Sequence, residues 1–208
     1  NLLGAFYQPS LVYIDVQTLN TLEPEEFRAG LGEVVKHALL ADEVFFGWLE
    51  RNTEKVSVLD QESLRYLVRR CCEIKGAVVS QDERESGWRA VLNLGHTIAH
   101  ALEKVLGFGK IRHGEAVAVG LVAEAVMGVQ MGVCEPLVVN RVRDLLENFG
   151  LPVSISGVSP EDLVAAVNSD KKLRRGKLSL PVPICVGEVK LLSVEPSSIG
   201  GAAVAAVI

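Results

Sequence analysis

Four histidines occur in the 208 residues, and each stands near other groups that could hold a metal or move a proton. His96 and His100 are four apart in NLGHTIAHALE, so a helix there places both imidazoles on one face. Such an HxxxH pair can chelate a transition metal. It can equally be two polar residues on a helix surface, or two core histidines with satisfied hydrogen bonds. His113 lies in GKIRHGEAVAVG, between Gly109 and Gly114. A loop-to-helix junction of that kind can aim a side chain into a cleft, or simply cap the helix. Glu33, Lys36 and His37 in GLGEVVKHALL share a helical face, and Glu33 with His37 reads as an intrahelical pair. Two imidazoles and one carboxylate from separate segments would make a three-ligand zinc site. Its fourth position would stay open to water or substrate, as in catalytic zinc. Spacing alone does not choose the ligands among Glu33, His37, His96, His100 and His113.

A charged segment, DERESGWRAVLN, precedes the histidine helix and reads by default as a solvated turn. Yet Arg89, Asn93, His96 and His100 recur at spacings of four, three and four. They form one polar stripe if the helix starts early, and such a stripe must face water or a polar site. Asp170-Lys171-Lys172, near Arg174 and Arg175, could bind phosphate or carboxylate, or be an exposed basic loop. No GxGxxG or Walker motif is present. Gly30-Leu31-Gly32-Glu33 sits inside a helical pattern, and its acid would repel a phosphate.

These residues need elements to position them. LVYIDV, residues 11–16, reads as a strand whose partners lie outside this chain or far along it. Helices follow at about 24–41, 43–51, from a cap at Asp60 to about Ser80, 95–106, 113–131, 135–149, and from Ser159 to about Ser169. The helix from His113 is apolar almost all round, hence buried. KLSLPVPICV and EVKLL, separated by Gly187-Glu188, read as a terminal hairpin. The fold class is mainly α: a multi-helical domain with a small terminal β-hairpin. Residues 1–20 read as a junction and 21–208 as the helical domain.

Composition narrows the function. Lys and Arg number 21 against 26 Asp and Glu, a net charge of −5, which argues against nucleic acid as a partner. Mean hydropathy is +0.28, but Glu115 and Glu124 break the long apolar stretch and no signal-peptide pattern opens the chain, so no membrane role is expected. Aromatic residues are only 5%, leaving the core to Leu, Val, Ile and Ala. Cys71, Cys72, Cys134 and Cys185 include no CxxC pair, and read as reduced, mostly buried thiols of a cytoplasmic protein.

Taken together and in order, AGLGEVVKH, CCEIKGAVVSQDERESGWRAVLNLGHTIAHALE and HGEAVAVG resemble 3-dehydroquinate synthase. The opening NLLGAFYQP and the late DKK match the same family, so the resemblance runs from residue 1 to about residue 192. It implies the C-terminal, zinc- and substrate-binding domain of the dehydroquinate synthase-like fold. The N-terminal NAD-binding α/β domain would lie outside this chain, and the complete enzyme is expected to be a homodimer. The resemblance makes Glu33, His96 and His113 the ligands of Zn2+ (or Co2+). It gives catalytic roles to Glu85 as proton acceptor, to His100 and to Lys36. Lys75, Arg89, Asn93 and one of Lys171 or Lys172 become substrate-binding residues. Thr18, Leu19, Asn20 and Thr21 become a loop touching NAD+. One departure is Ala99, where the family usually has Gly.

The reaction so implied converts 3-deoxy-D-arabino-heptulosonate 7-phosphate, a small anionic sugar phosphate, to 3-dehydroquinate and phosphate in the shikimate pathway. Transient oxidation by NAD+ acidifies a C–H, phosphate leaves, the hydride returns, and an aldol step closes the ring. NAD+ is recycled, so this is a phosphate-eliminating lyase. The 208-residue chain alone is expected to bind zinc without turnover. Competing readings are a 2-deoxy-scyllo-inosose synthase type of cyclase, a metal-dependent enzyme of the glycerol dehydrogenase type, and a non-catalytic helical module holding a structural metal.

Overall fold

The computed structural model describes residues 7–84, 87–107, 109–168, 177–195 and 199. Seven α-helices are described: α1 Pro24–Ala41, α2 Glu43–Ser57, α3 Gln61–Gln81, α4 His96–Leu106, α5 His113–Gln130, α6 Pro136–Asn148 and α7 Pro160–Asn168. A hairpin of β1 Leu178–Cys185 and β2 Glu188–Val194 follows them. The strands are antiparallel, from Leu178↔Val194 to Pro183↔Val189, with an irregularity between Pro183 and Cys185.

Helix starts follow the local chemistry. Pro24 opens α1 with Glu25 and Glu26 in its first turn, where acids suit the positive end of the helix dipole. Asp42 caps α2 by accepting from Phe45 N at 2.9 Å, and Asp60 caps α3 by accepting from Ser63 N at 2.9 Å. Helix α2 runs six residues beyond the expected end. Asn52 takes non-helical angles, donates to the Trp48 carbonyl at 2.9 Å, and kinks the helix rather than ending it.

Helix α5 is the axis of the core. Thirteen of its residues, from Gly114 to Gly128, are buried. It packs against α1, α4, α6 and β1. The hairpin is tied on by Gly187 N–H donating to the Leu39 carbonyl at 2.9 Å, and Val186–Gly187 make its turn.

Residues 11–15 are not paired as a strand among the described residues, which leaves open a strand whose partners lie outside this chain; two other expectations need correction. Leu11, Val12 and Tyr13 are exposed, and a 3-10 turn, Val16–Thr21, begins where the strand was to end. A strand exists by its ladder, and among the described residues the only sheet is the terminal hairpin. The polar stripe 89–100 is not one helix. A 3-10 turn, Trp88–Asn93, ends at an extended Leu94, and Gly95 at φ +80° restarts the chain as α4. Of the cysteines only Cys134 is buried, Cys72 is exposed and all four are free. Burial pushes the Cys71 thiol up to about 12 and Cys134 up to about 11, so both stay protonated at neutral pH.

Two helix crossings depend on glycine. A methyl on Gly114 would overlap the carbonyl of Ala29 in α1, and one on Gly32 would overlap the carbonyl of Gly114. A methyl on Gly120 of α5 would overlap the carbonyl of Gly95. In each case the obstacle is backbone, which cannot swing aside as a side chain can. Gly114→Ala is therefore expected to lower the unfolding free energy by about 1–3 kcal/mol in a denaturant titration. An unchanged midpoint and slope would show that α1 and α5 can part without cost.

Candidate metal centre

Glu33 projects from the middle of α1, His96 is the first residue of α4, and His113 is the first residue of α5. The three helices bring these side chains to one point. Each offers one ligand atom, and the three atoms lie within 4.8 Å of one another. Glu33 Oε1 is 3.3 Å from His96 Nε2 and 3.6 Å from His113 Nε2. A tetrahedral metal with bonds of about 2.1 Å separates its donors by about 3.4 Å, so the spacing suits such an ion.

Hydrogen-bond partners set the imidazole tautomers. His96 Nδ1 donates to the Leu94 carbonyl at 3.1 Å, and His113 Nδ1 donates to Glu103 Oε1 at 2.9 Å. Each Nε2 of a neutral ring then carries a bare lone pair toward Glu33 Oε1. That oxygen is buried and has no hydrogen-bond partner. Two lone pairs facing a carboxylate oxygen repel unless a cation lies between them, so the donor set fits a divalent metal. Burial alone would raise the Glu33 carboxyl; the Lys36 ammonium at its second oxygen opposes this, and the group is held below the ordinary carboxylate range.

The second Glu33 oxygen, Oε2, accepts from Lys36 Nζ at 2.6 Å. Lys36, Lys75, Arg89 and Asn93 line a cleft of about 380 Å³ together with Glu33, His37, His96 and His113. Three cationic side chains beside one ligand carboxylate make a wall suited to anionic groups. Asp82 positions Arg89: its Oδ2 accepts from Gly87 N at 2.8 Å and from Arg89 N at 2.9 Å. The Arg89 guanidinium reaches back to the Glu83 carbonyl at 3.0 Å. The charged turn is thus in part a buried clamp rather than a solvated face, since Asp82 is only 7% exposed.

Some sequence candidates fall elsewhere. His37 does not pair with the Glu33 carboxylate. Its Nδ1 donates to the Glu33 backbone carbonyl at 2.7 Å, and burial, with Lys36 nearby, lowers its pKa. His100 lies one turn along α4, its ring 5.6 Å from His96 and 6.2 Å from His113. Thr18 and Thr21 lie in the 3-10 turn, their hydroxyls donating to the carbonyls of Asp15 and Thr18; Leu19 and Asn20 lie between them. Glu85, Lys171 and Lys172 lie outside the described residues. Glu103 was not singled out from sequence. Its one signal was its place two turns after His96 on a helix already suspected of holding a ligand.

The chain is similar to known proteins. A family model described as 3-dehydroquinate synthase C-terminal matches residues 30–173. The 3-dehydroquinate synthase of Shewanella sp. (strain MR-4) is 43% identical over 199 residues, covering 95% of this chain and 55% of that protein. The one from Pseudoalteromonas atlantica is 44% identical over 194 residues, covering 93% and 55%. The chain thus spans about half the length of the curated relatives it matches. Among solved structures, a 2-epi-5-epi-valiolone synthase from Streptomyces hygroscopicus subsp. jinggangensis 5008, with NAD+ and Zn2+ bound, superposes with a TM-score of 0.86 at 26% identity. That match covers 99% of this chain and 57% of the other. A 2-deoxy-scyllo-inosose synthase complexed with carbaglucose-6-phosphate, NAD+ and Co2+ gives 0.82 at 27% identity, covering 96% and 57%. With the family model covering most of the helical core, the chain belongs to the 3-dehydroquinate synthase family and corresponds to its C-terminal domain.

Proposed function

We propose that this chain is the metal- and substrate-binding part of a 3-dehydroquinate synthase acting on 3-deoxy-D-arabino-heptulosonate 7-phosphate. The observation that carries the reading is the convergence of Glu33, His96 and His113 at the mouth of a cleft walled by Lys36, Lys75 and Arg89. The relatives' shared activity supports the same reaction class.

Glu33 Oε1, His96 Nε2 and His113 Nε2 would hold the ion. When bound, a divalent metal supplies Lewis-acid polarisation of a substrate oxygen, and NAD+ supplies reversible hydride acceptance. The protein's own residues do the rest. Glu33 uses one oxygen toward the imidazoles and the other to fix Lys36, so the ammonium stands at the cleft wall beside the ligand set. Lys36, Lys75 and Arg89 bind the carboxylate and phosphate of the substrate, and Asn93 orients a hydroxyl. Arg89 arrives oriented, because Asp82 holds its backbone and the Glu83 carbonyl its side chain. His100 stands within one imidazole's reach of the ligands and serves as substrate-binding or proton-transferring group. The roles of Glu85 as proton acceptor, of Lys171 or Lys172 on the phosphate, and of Thr18–Thr21 against NAD+ rest on the family resemblance. So does the N-terminal NAD-binding domain that would supply the rest of the cofactor site.

A second cyclase reading has support in the structural neighbours, which include a 2-deoxy-scyllo-inosose synthase. The difference in identity, 43% against 27%, favours the dehydroquinate branch. Arg89 in the cleft also suits a carboxylate-bearing substrate. Product analysis on the complete enzyme separates the readings. Phosphate release with 3-dehydroquinate formation and no NADH accumulation is expected. Stoichiometric NADH would remove any cyclase reading, and preference for a sugar phosphate lacking a carboxylate would favour the second.

Metal analysis tests the ligand set. His96→Ala and His113→Ala are expected to lose stoichiometric zinc, whereas His100→Ala keeps zinc and loses rate. A zinc-free His100→Ala protein would reverse the assignment. Glu103→Ala is expected to weaken zinc by about 10–100-fold, because His113 loses the acceptor that sets its ring. Wild-type zinc affinity in that variant would show that the Glu103 contact is incidental.

A further inference from the structure

Helix α5 carries one buried carboxylate that neither the cleft nor the metal ligands use. Glu124 is fully buried among the apolar side chains that make up most of the helix. Its Oε2 accepts from the backbone N–H of Gly95 at 2.6 Å, across 29 residues of sequence. Gly95 is the residue immediately before His96, and it is itself buried. A buried carboxyl in a helix interior is costly and needs a reason to be there. We propose that Glu124 is a positioning residue, one that fixes the backbone at Gly95 so that the His96 imidazole meets Glu33 and His113.

Three observations support this role. Gly95 stands at φ +80°, where the chain turns from the extended Leu94 into α4, so its orientation decides where His96 points. The N-cap of α4 is Gly95, which has no side chain with which to cap the helix. Glu124 instead engages the N-cap peptide from a neighbouring helix. Finally, His113, Val117, Gly120 and Glu124 are spaced by four, three and four, one stripe of α5. A methyl on Gly95 would stand 3.0 Å from the Val117 carbonyl, and Gly120 meets the Gly95 carbonyl directly. The same stripe that presents the ligand His113 therefore clamps the peptide beside the ligand His96. Glu124 is the polar end of that clamp, and it fixes one ligand's backbone relative to the other's.

The inference rests on the metal reading above, and the experiment separates the two. Co2+ alone is titrated into the complete enzyme and its variants by chelator competition, with ligand-field absorption recorded. Hydrogen exchange at the Gly95 amide is followed in metal-free protein. Glu124→Gln keeps an acceptor and is expected to retain Co2+ affinity, the Co2+ spectrum and slow Gly95 exchange. Glu124→Ala is expected to bind Co2+ at least about tenfold more weakly, with an altered spectrum and fast Gly95 exchange. Leu145→Ala, a buried truncation in α6, controls for general destabilisation and is expected to keep wild-type Co2+ affinity. If Glu124→Ala does not fold, Glu124→Asp carries the test, since its carboxylate falls one methylene short of Gly95. It is expected to weaken Co2+ and speed Gly95 exchange. Wild-type affinity and spectrum in Glu124→Ala or Glu124→Asp overturn the proposal. So does a Glu124→Gln loss equal to that of Glu124→Ala, or an equal loss in Leu145→Ala. A wild-type protein that binds no Co2+ overturns the metal reading and this inference together. Wild-type binding that Glu124 variants leave intact removes this inference alone.

Discussion

The site depends on how closely three helices can approach one another. Packed helices ordinarily keep axes about 8–10 Å apart, at a distance set by the side chains at the crossing. Here two crossings on α5 are made by glycine: Gly32 with Gly114 between α1 and α5, and Gly95 with Gly120 between α4 and α5. Each candidate ligand is the chain neighbour of one of these glycines: Glu33 follows Gly32, His96 follows Gly95, and His113 precedes Gly114. The backbones touch where the glycines are, so the adjacent side chains of ordinary length converge. Ligand spacing is thereby a property of backbone packing. Larger residues at the crossings would spread the ligand atoms before they altered any ligand.

Around that crossing the polar groups are distributed with economy. Arg112, the residue before α5, pairs with Glu25 and Glu26 at the start of α1 and so ties the two helix starts together beside His113. Glu103 sets the His113 ring, the Leu94 carbonyl sets the His96 ring, and Lys36 takes the second Glu33 oxygen. Each of the three candidate ligands thus has one atom committed to the protein and one atom turned inward, the pattern expected of a metal site ordered in advance of an ion. Lys36, at 5% side-chain exposure, also places a positive charge on the cleft wall beside Glu33.

Much of the secondary structure was legible because it rests on local chemistry. Pro24, Asp60 and Pro160 mark helix starts, Gly107 and Gly150 lie just past helix ends, and the apolar run after His113 announces a buried helix. Legibility ended where a local pattern depended on something outside itself. LVYID is strand-like in composition, and the partner its ladder needs was expected outside this chain, so the described residues do not decide it. The spacing from Arg89 to His100 is helical, yet one left-handed glycine breaks it. Arg89, Asn93 and His96 still reach the same cleft, because the 3-10 turn and α4 are held at that break by contacts with α5. The boundary of α2 was missed because Asn52 bends the helix without ending it.

By itself the sequence determined the helices, the residue types available for chemistry, and a resemblance specific enough to name a family. Only the tertiary structure decided which candidates meet. It brought Glu33, His96 and His113 together, turned His37 to a backbone carbonyl, and gave work to Asp82, Glu103 and Glu124, none of which forms a motif. The reason is that these contacts act through space. Glu124 reaches Gly95 across 29 residues and Arg112 reaches Glu26 across 86, and no spacing rule spans such separations. Local propensity can place a residue on a helix face, but only the crossing of two helices decides what that face meets.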